Sequence, residues 1–185
     1  MKPYLLVAYN RIRLGLRRLF CCRDFTFDSV ELLGKNTRLA FAKTSQVWFG
    51  GHLVSDGRLV IITGQNAHLT IGERTYFNEG TMISCLEEVS IGAGCRFGPN
   101  VKVFDNDHKF SARGGVSQER TTSPVTIGDH CWLGANVTVL RGTEIGDDCV
   151  IGAGCVVKGV IPAGSLVTPQ SRKLDIRPIR DEKLP

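Results

Sequence analysis

The chain has 185 residues, a formal net charge of +5 and seven cysteines, which is long enough for one domain with a sizeable core. The charge is uneven, because residues 1–23 carry six basic side chains and no acidic one, while the other 162 residues carry 17 basic and 18 acidic side chains. The body of the chain therefore lacks the basic surface expected of a nucleic-acid-binding protein. No apolar run approaches the roughly 18 residues of a membrane-spanning helix, and arginines between positions 11 and 18 interrupt the apolar core that a secretory signal needs.

Residues 4–20 have the spacing of an amphipathic helix. Their apolar side chains fall on one face, and the arginines at 11, 17 and 18 lie away from it. The apolar residues of this stripe are Leu5, Tyr9, Ile12, Leu16 and Leu19. Two interpretations stay open: the stripe packs on the first coil of the repeat that follows it in the chain or on a neighbouring subunit, or the helix makes a peripheral contact with an anionic membrane surface.

A six-residue repeat begins irregularly at about Thr37 and ends near Gly164, and it is clearest from Ile127 to Val157. An aliphatic residue recurs every six positions, Gly usually follows it, and a small residue stands four places after it. Neither a helix nor a strand has this period. Three short strands joined by sharp corners explain it, with about 18 residues closing one triangular coil.

The repeat predicts an all-β solenoid, a parallel β-helix of about six coils with an N-terminal helix and a protruding loop. We expect three parts: residues 1–36 as the basic helix and a linker, residues 37–164 as the β-helix, and residues 165–185 as a C-terminal tail.

Residues 105–124 have no six-residue spacing and form a long excursion between two regular blocks of repeats. Long loops in compact repeat proteins are usually functional. His108 stands at the root of this loop, and its imidazole could act as a general base near neutral pH. Asp105 or Asp107 could orient the ring. The alternative is that His108 is an ordinary solvated loop residue.

The cysteines and histidines give little sign of a metal. Four of the seven cysteines occupy the small position of a repeat, which indicates apolar filling, and reduced thiols indicate the cytoplasm. The four histidines lack the spacing of a metal-dependent hydratase built on stacked coils, so we expect no metal.

The tandem repeats, the Gly98-Pro99-Asn100-Val101 segment, the loop with His108 and the closing Ile161-Pro162 resemble the hexapeptide-repeat acyltransferases, which include galactoside and maltose acetyltransferases and many glycan O-acetyltransferases. The resemblance covers about residues 71–164. It implies a left-handed coil, a homotrimer with sites between subunits, and acetyl-CoA as co-substrate.

The resemblance also implies roles for individual residues. His108 matches the catalytic base, and Asn78 matches an asparagine whose amide stabilises the developing oxyanion. Trp132, Ala135, Ala153 and Lys158 match positions that line the acetyl-CoA groove. Asn78 could instead be a corner residue, the two alanines serve the repeat in any case, and Trp132 could simply cover an apolar face.

The expected function is acetyl-CoA-dependent O-acetylation of a sugar or glycan hydroxyl, in the cytoplasm or at the inner face of the membrane. Two alternatives remain: an acetyltransferase for a small non-glycan acceptor such as an antibiotic or amino sugar, and a non-catalytic β-helix scaffold.

Overall fold

The computed structural model describes residues 2–22, 24–28 and 30–169. One helix, α1 (Pro3–Phe20), precedes a parallel β-solenoid of six complete coils and two further strands. The predicted all-β solenoid with an N-terminal helix is confirmed, whereas its left-handed winding stays a prediction.

Three strands make each of the first three coils. They are β1 (Phe25–Phe27), β2 (Leu32–Leu33) and β3 (Arg38–Ala40), then β4 (Gln46–Phe49), β5 (Val54–Ser55) and β6 (Val60–Thr63), then β7 (His68–Ile71), β8 (Tyr76–Phe77) and β9 (Met82–Cys85).

The fourth coil contains β10 (Glu88–Ile91), β11 (Arg96–Phe97) and β12 (Lys102–Phe104), and an antiparallel hairpin of β13 (Asn106–Ser111) and β14 (Gly115–Thr122) follows it. The last coils contain β15 (Val125–Ile127), β16 (Trp132–Leu133) and β17 (Thr138–Val139), then β18 (Glu144–Ile145), β19 (Val150–Ile151) and β20 (Val156–Val157), and finally β21 (Val160–Ile161) and β22 (Leu166–Val167).

The strands stack into three parallel sheets, so the solenoid is a three-sided prism. Face 1 has the order β1-β4-β7-β10-β15-β18-β21, face 2 has β2-β5-β8-β11-β16-β19-β22, and face 3 has β3-β6-β9-β12-β17-β20. Two edges of the prism matter below. The Asn78 edge joins faces 2 and 3 through residues 78–81, 98–101, 134–137 and 152–155, and the His108 edge joins faces 3 and 1 through residues 86–87, 105–124, 140–143 and 158–159.

The solenoid extends beyond both predicted boundaries. It begins at Phe25 rather than Thr37, and β22 continues it past Gly164 to Val167. The first coil escaped the six-residue pattern because paired residues of the early coils are 22 positions apart, as for Phe25 and Val47, and only the late coils have the expected 18. The part of the predicted tail from residue 170 onward lies outside the described residues.

Inward side chains form one continuous apolar core along the axis. Leu69, Val89 and Val125 are stacked partners on face 1, and Phe77 contacts Phe97 on face 2 with ring centroids 4.9 Å apart. The backbones of successive coils also approach closely at the corners, since a Cβ at Gly72 would lie 2.3 Å from the nitrogen of Ala93. Any side chain at such a corner glycine would push the two coils apart.

Six of the seven cysteines are buried, and all seven are free thiols. The thiols of Cys95, Cys131 and Cys149 each donate to a carbonyl of the next coil at 3.1 Å. These three cysteines fill the small position of the repeat. Burial also raises the pKa of a further thiol, that of Cys85.

Helix α1 covers the open end of the first coil, but with a face other than the apolar stripe. Asn10 and Leu14 are its buried residues, and the Asn10 amide donates to the carbonyls of Glu31 and Leu33 at 3.0 and 2.9 Å. These bonds protect the free edge of the solenoid. The stripe residues are all exposed, so the interpretation in which they pack on the first coil is wrong: Leu5, Tyr9, Ile12, Leu16 and Leu19. No helix of the described residues is both long and apolar enough to span a bilayer.

Candidate active site

The excursion at residues 105–124 is an ordered hairpin with a fixed root. Asp105 is fully buried, and its carboxylate accepts backbone N–H bonds from residues 86–88 at 2.7–2.9 Å. The Asn106 amide donates to Asp105 and Ser84, and its oxygen accepts from Arg120 at 2.8 Å. The buried carboxylate therefore holds the previous coil's corner, and Asn106 joins the two strands of the hairpin to that coil.

Asp107 links the hairpin to the following coil. Its Oδ2 accepts a bond from Nε of Arg141 at 2.7 Å, and both side chains are partly buried. Asp105 and Asp107 thus have structural partners of their own, and neither is the group that bonds the His108 ring.

The His108 ring is oriented by a main-chain carbonyl. Its Nδ1 lies 3.0 Å from the oxygen of Ser117, on the opposite strand of the hairpin. A carbonyl only accepts hydrogen bonds, so Nδ1 carries the proton, and in the neutral ring Nε2 keeps its lone pair. His108 is exposed, so Nε2 is available to a molecule from solution.

Asn78 lies on the other edge of face 3. It follows β8 at a corner, it is half-buried, and its Oδ1 accepts a bond from the Glu79 N–H at 2.7 Å. Within the described part of the chain we find no other side-chain bond of Asn78. The amide oxygen thus stabilises the corner, while the NH2 group keeps its donor capacity.

The four residues matched to the acetyl-CoA groove divide between the edges. Ala135 and Ala153 are stacked neighbours on the Asn78 edge, where the N–H of Gly154 donates to the oxygen of Ala135 at 2.8 Å. Trp132 projects from the adjoining face 2 and is 55% exposed. Lys158 is exposed on the His108 edge.

One copy of the chain therefore groups Asn78, Ala135 and Ala153 on one edge and His108 and Lys158 on another, with the whole of face 3 between them. The described residues contain no group of three His, Cys, Asp or Glu side chains that could hold a metal ion.

Sequence reasoning missed Ser117, Arg120 and Arg141. Arg141 stands at an ordinary corner of the repeat, 34 positions from its partner Asp107, and Ser117 acts through its backbone. Only the antiparallel pairing within residues 105–124 could have suggested the contact of His108 with the opposite strand.

Comparison with known proteins agrees with this architecture. The family model described as "Hexapeptide repeat of succinyl-transferase" matches residues 124–158. The "Putative lipopolysaccharide biosynthesis O-acetyl transferase WbbJ" of Escherichia coli is 34% identical over 134 residues, covering 68% of this chain and 64% of that protein. The "Galactoside O-acetyltransferase" of Escherichia coli is 35% identical over 99 residues, covering 54% and 48%.

A solved structure has the same fold. It is the hexapeptide-repeat containing acetyltransferase VCA0836 of Vibrio cholerae, complexed with acetyl coenzyme A, with a TM-score of 0.59 at 21% identity over 93% of this chain and 79% of that chain.

The stacked coils and the matched repeat define a hexapeptide-repeat protein. Within that class, the chain is similar to known O-acetyltransferases over its repeat region. It spans less than two thirds of the length of the curated relatives named above.

Proposed function

We propose that the protein is an acetyl-CoA-dependent O-acetyltransferase that acts on a sugar or glycan hydroxyl, with His108 as its general base. The observation that carries the proposal is the bond from Nδ1 of His108 to the Ser117 carbonyl, because it fixes the tautomer in which Nε2 accepts a proton. The O-acetyltransferases among the relatives support the reaction and the class of acceptor.

The reaction needs one proton to move twice. Nε2 of His108 takes the proton of the acceptor hydroxyl as its oxygen attacks the thioester carbonyl carbon. When the carbon–sulfur bond breaks, the imidazolium returns that proton to the departing sulfur. An amide donor at Asn78 would stabilise the negative charge that develops on the carbonyl oxygen, and loss of one such donor commonly costs about 2.7–4 kcal/mol.

A site that uses both His108 and Asn78 joins two copies of the chain. The two residues lie on different edges of the prism, so the His108 edge of one copy would face the Asn78 edge of another. An unlike contact of this kind closes a ring when its rotation is that of a closed symmetry, and a three-fold rotation would give the homotrimer that the resemblance implies.

The acetyl-CoA groove would follow the Asn78 edge. Ala135 and Ala153 leave backbone accessible along this edge, and the ring of Trp132 offers an apolar surface beside it. Lys158, on the facing edge of the second copy, supplies a positive charge for a phosphate. The solved relative with acetyl-CoA bound supports this co-substrate. The buried free thiols favour a cytoplasmic location.

Isothermal titration with coenzyme A tests the proposal first. For an enzyme we expect binding between about 1 μM and 1 mM, the usual range of KM values, whereas the scaffold alternative predicts no heat of binding. Acetyl-CoA turnover is then measured with sugars, amino sugars and antibiotics as acceptors. Turnover with only amines or antibiotics would overturn the assignment of a sugar hydroxyl, and no binding of coenzyme A would overturn the whole proposal.

A further inference from the structure

Helix α1 exposes a continuous apolar face directly opposite the face that packs on the solenoid. With about 100° between successive residues, Asn10 and Leu14 point toward the first coil, and Leu5, Ile12, Leu16 and Leu19 point away from it. Ile12 and Leu19 are 67% and 68% exposed. A continuous exposed apolar face on a surface helix indicates a binding surface.

Basic side chains border this face on both sides. Arg11 and Arg18 follow one side and Arg17 the other, with no acidic residue between positions 1 and 23. Arg13 lies on the same side as Arg17, but it is half-buried and donates to Oδ1 of Asn10 at 2.7 Å, toward the solenoid. The guanidinium of Arg13 also lies 5.1 Å from the ring centroid of Tyr9 at the border of the apolar face. The arrangement is that of a helix lying in a membrane interface, with apolar residues below and cations at the level of the headgroups.

We propose that α1 docks the protein on an anionic lipid bilayer, with the Leu5-to-Leu19 face inserted among the acyl chains and the flanking arginines on the lipid headgroups. Charge selects this occupant over the same helix of a second copy. Two copies of α1 would bring like charges together without any acid within residues 1–23 to neutralise them, whereas an anionic surface complements Arg11, Arg17 and Arg18.

Docking through this face leaves the proposed active site open. Helix α1 contacts β1 and β2 of the first coil, and the hairpin with His108 leaves the fourth coil. Successive strands of a sheet lie about 4.8 Å apart, so roughly 15 Å of solenoid separates the hairpin from the first coil. Both the Asn78 edge and the His108 edge therefore remain above the bilayer.

Flotation of the full chain with vesicles tests the proposal. We expect the protein to float with vesicles of phosphatidylcholine containing a third of phosphatidylglycerol, more weakly in high salt, and poorly with phosphatidylcholine alone. Neutralising one border with R11Q and R18Q together should lower the partition coefficient about 25-fold, at about fivefold per basic residue.

The apolar face has a matched control. Leu19→Glu should lower partition by at least about tenfold, because the face then carries a charge into the acyl region. Leu166→Glu changes a leucine that is 70% exposed at the far end of the solenoid, so it should bind vesicles as the wild type does.

Three results would overturn the proposal. The wild type could fail to float with anionic vesicles, Leu166→Glu could reduce flotation as much as Leu19→Glu does, or Leu19→Glu could change the mass in light scattering while flotation stays the same. The last result would assign the face to contacts between copies of the chain.

Discussion

Arg141 donates from Nε to Oδ2 of Asp107 at 2.7 Å and so connects the hairpin of the fourth coil to the corner of the fifth. The bond joins residues that are 34 positions apart, immediately next to His108. It holds the root of the hairpin from the side opposite the buried carboxylate of Asp105.

Replacing Arg141 by Gln should therefore affect catalysis more than stability. A partly exposed ion pair contributes at most about 1 kcal/mol to the free energy of unfolding. A small displacement of the catalytic ring costs far more in rate, so we expect kcat/KM to fall about 10- to 100-fold. Steady-state kinetics and urea unfolding of the same preparation measure the two effects.

The hairpin provides a control for this substitution. Lys109 and Glu119 form an ion pair of 2.8 Å between its exposed strands, one residue beyond His108 and its partner Arg120. Glu119→Gln should leave kcat/KM within about twofold of the wild type. A loss of activity equal to that of Arg141→Gln would show that activity is sensitive to any change in the hairpin. It would contradict a specific role of the ion pair between Arg141 and Asp107.

A site shared between copies predicts complementation of inactive variants. His108→Ala and Asn78→Ala should each be nearly inactive alone. After the two are unfolded together and refolded, random association should return about a quarter of the wild-type activity, because that fraction of edges pairs an intact His108 with an intact Asn78. Activity that stays at the level of the separate variants would contradict a site between copies.

The acetyl-CoA groove predicts an effect on KM at the Asn78 edge. Ala153 is exposed at a corner there, so Ala153→Leu should raise the KM for acetyl-CoA about tenfold by filling the space along the backbone. Ala163 is an exposed alanine at a corner on the third edge of the prism, and Ala163→Leu should change KM little. Equal effects of both substitutions would contradict this position of the groove.

Glu31 predicts an unusual dependence of stability on pH. Burial under α1 raises the pKa of its carboxyl to about 8, with Asp28 adding a like charge, although the Leu53 N–H donates to the carboxylate at 2.9 Å. The unfolded chain releases this proton near pH 4.5, whereas the folded chain keeps it until about pH 8. Stability therefore falls as pH rises through this window, by up to about 1.4 kcal/mol per pH unit.

Urea unfolding at pH 5.5 and pH 8 measures this effect. Glu31→Gln should be more stable than the wild type at pH 8 and should show a smaller loss between the two pH values. Glu73→Gln, a change at an exposed carboxylate, should behave as the wild type does. A variant at Glu31 that keeps the full wild-type slope would assign the pH dependence to other groups.

The period of six was sufficient to predict the stacked coils, because one side chain per face must enter the core of each coil. It placed Cys95, Cys131 and Cys149 in the core and His108 on an excursion, as the structure has them. The first coil was missed because 22 positions separate Phe25 from its stacked partner Val47. Phe25 therefore enters the core at a position that the six-residue period does not predict.

The packing of α1 could not be predicted from its pattern. Periodicity identifies the apolar face of a helix, but the face that packs here includes Asn10, where the carbonyls of Glu31 and Leu33 need donors. The partner of His108 was missed for a similar reason, since the bond is to a backbone carbonyl, which every residue has.

The most direct test of the proposed function is the transfer of labelled acetyl from acetyl-CoA to a sugar acceptor by the wild type, by His108→Gln and by His68→Gln. Gln keeps a polar side chain but cannot take the hydroxyl proton, so we expect kcat to fall by about 100- to 10,000-fold at position 108. His68 lies exposed on face 1 in the coil before the one with the hairpin, and it pairs with Glu88 rather than with the hairpin, so its variant should retain wild-type kcat. Full acetyl transfer by a folded His108→Gln protein would contradict the account.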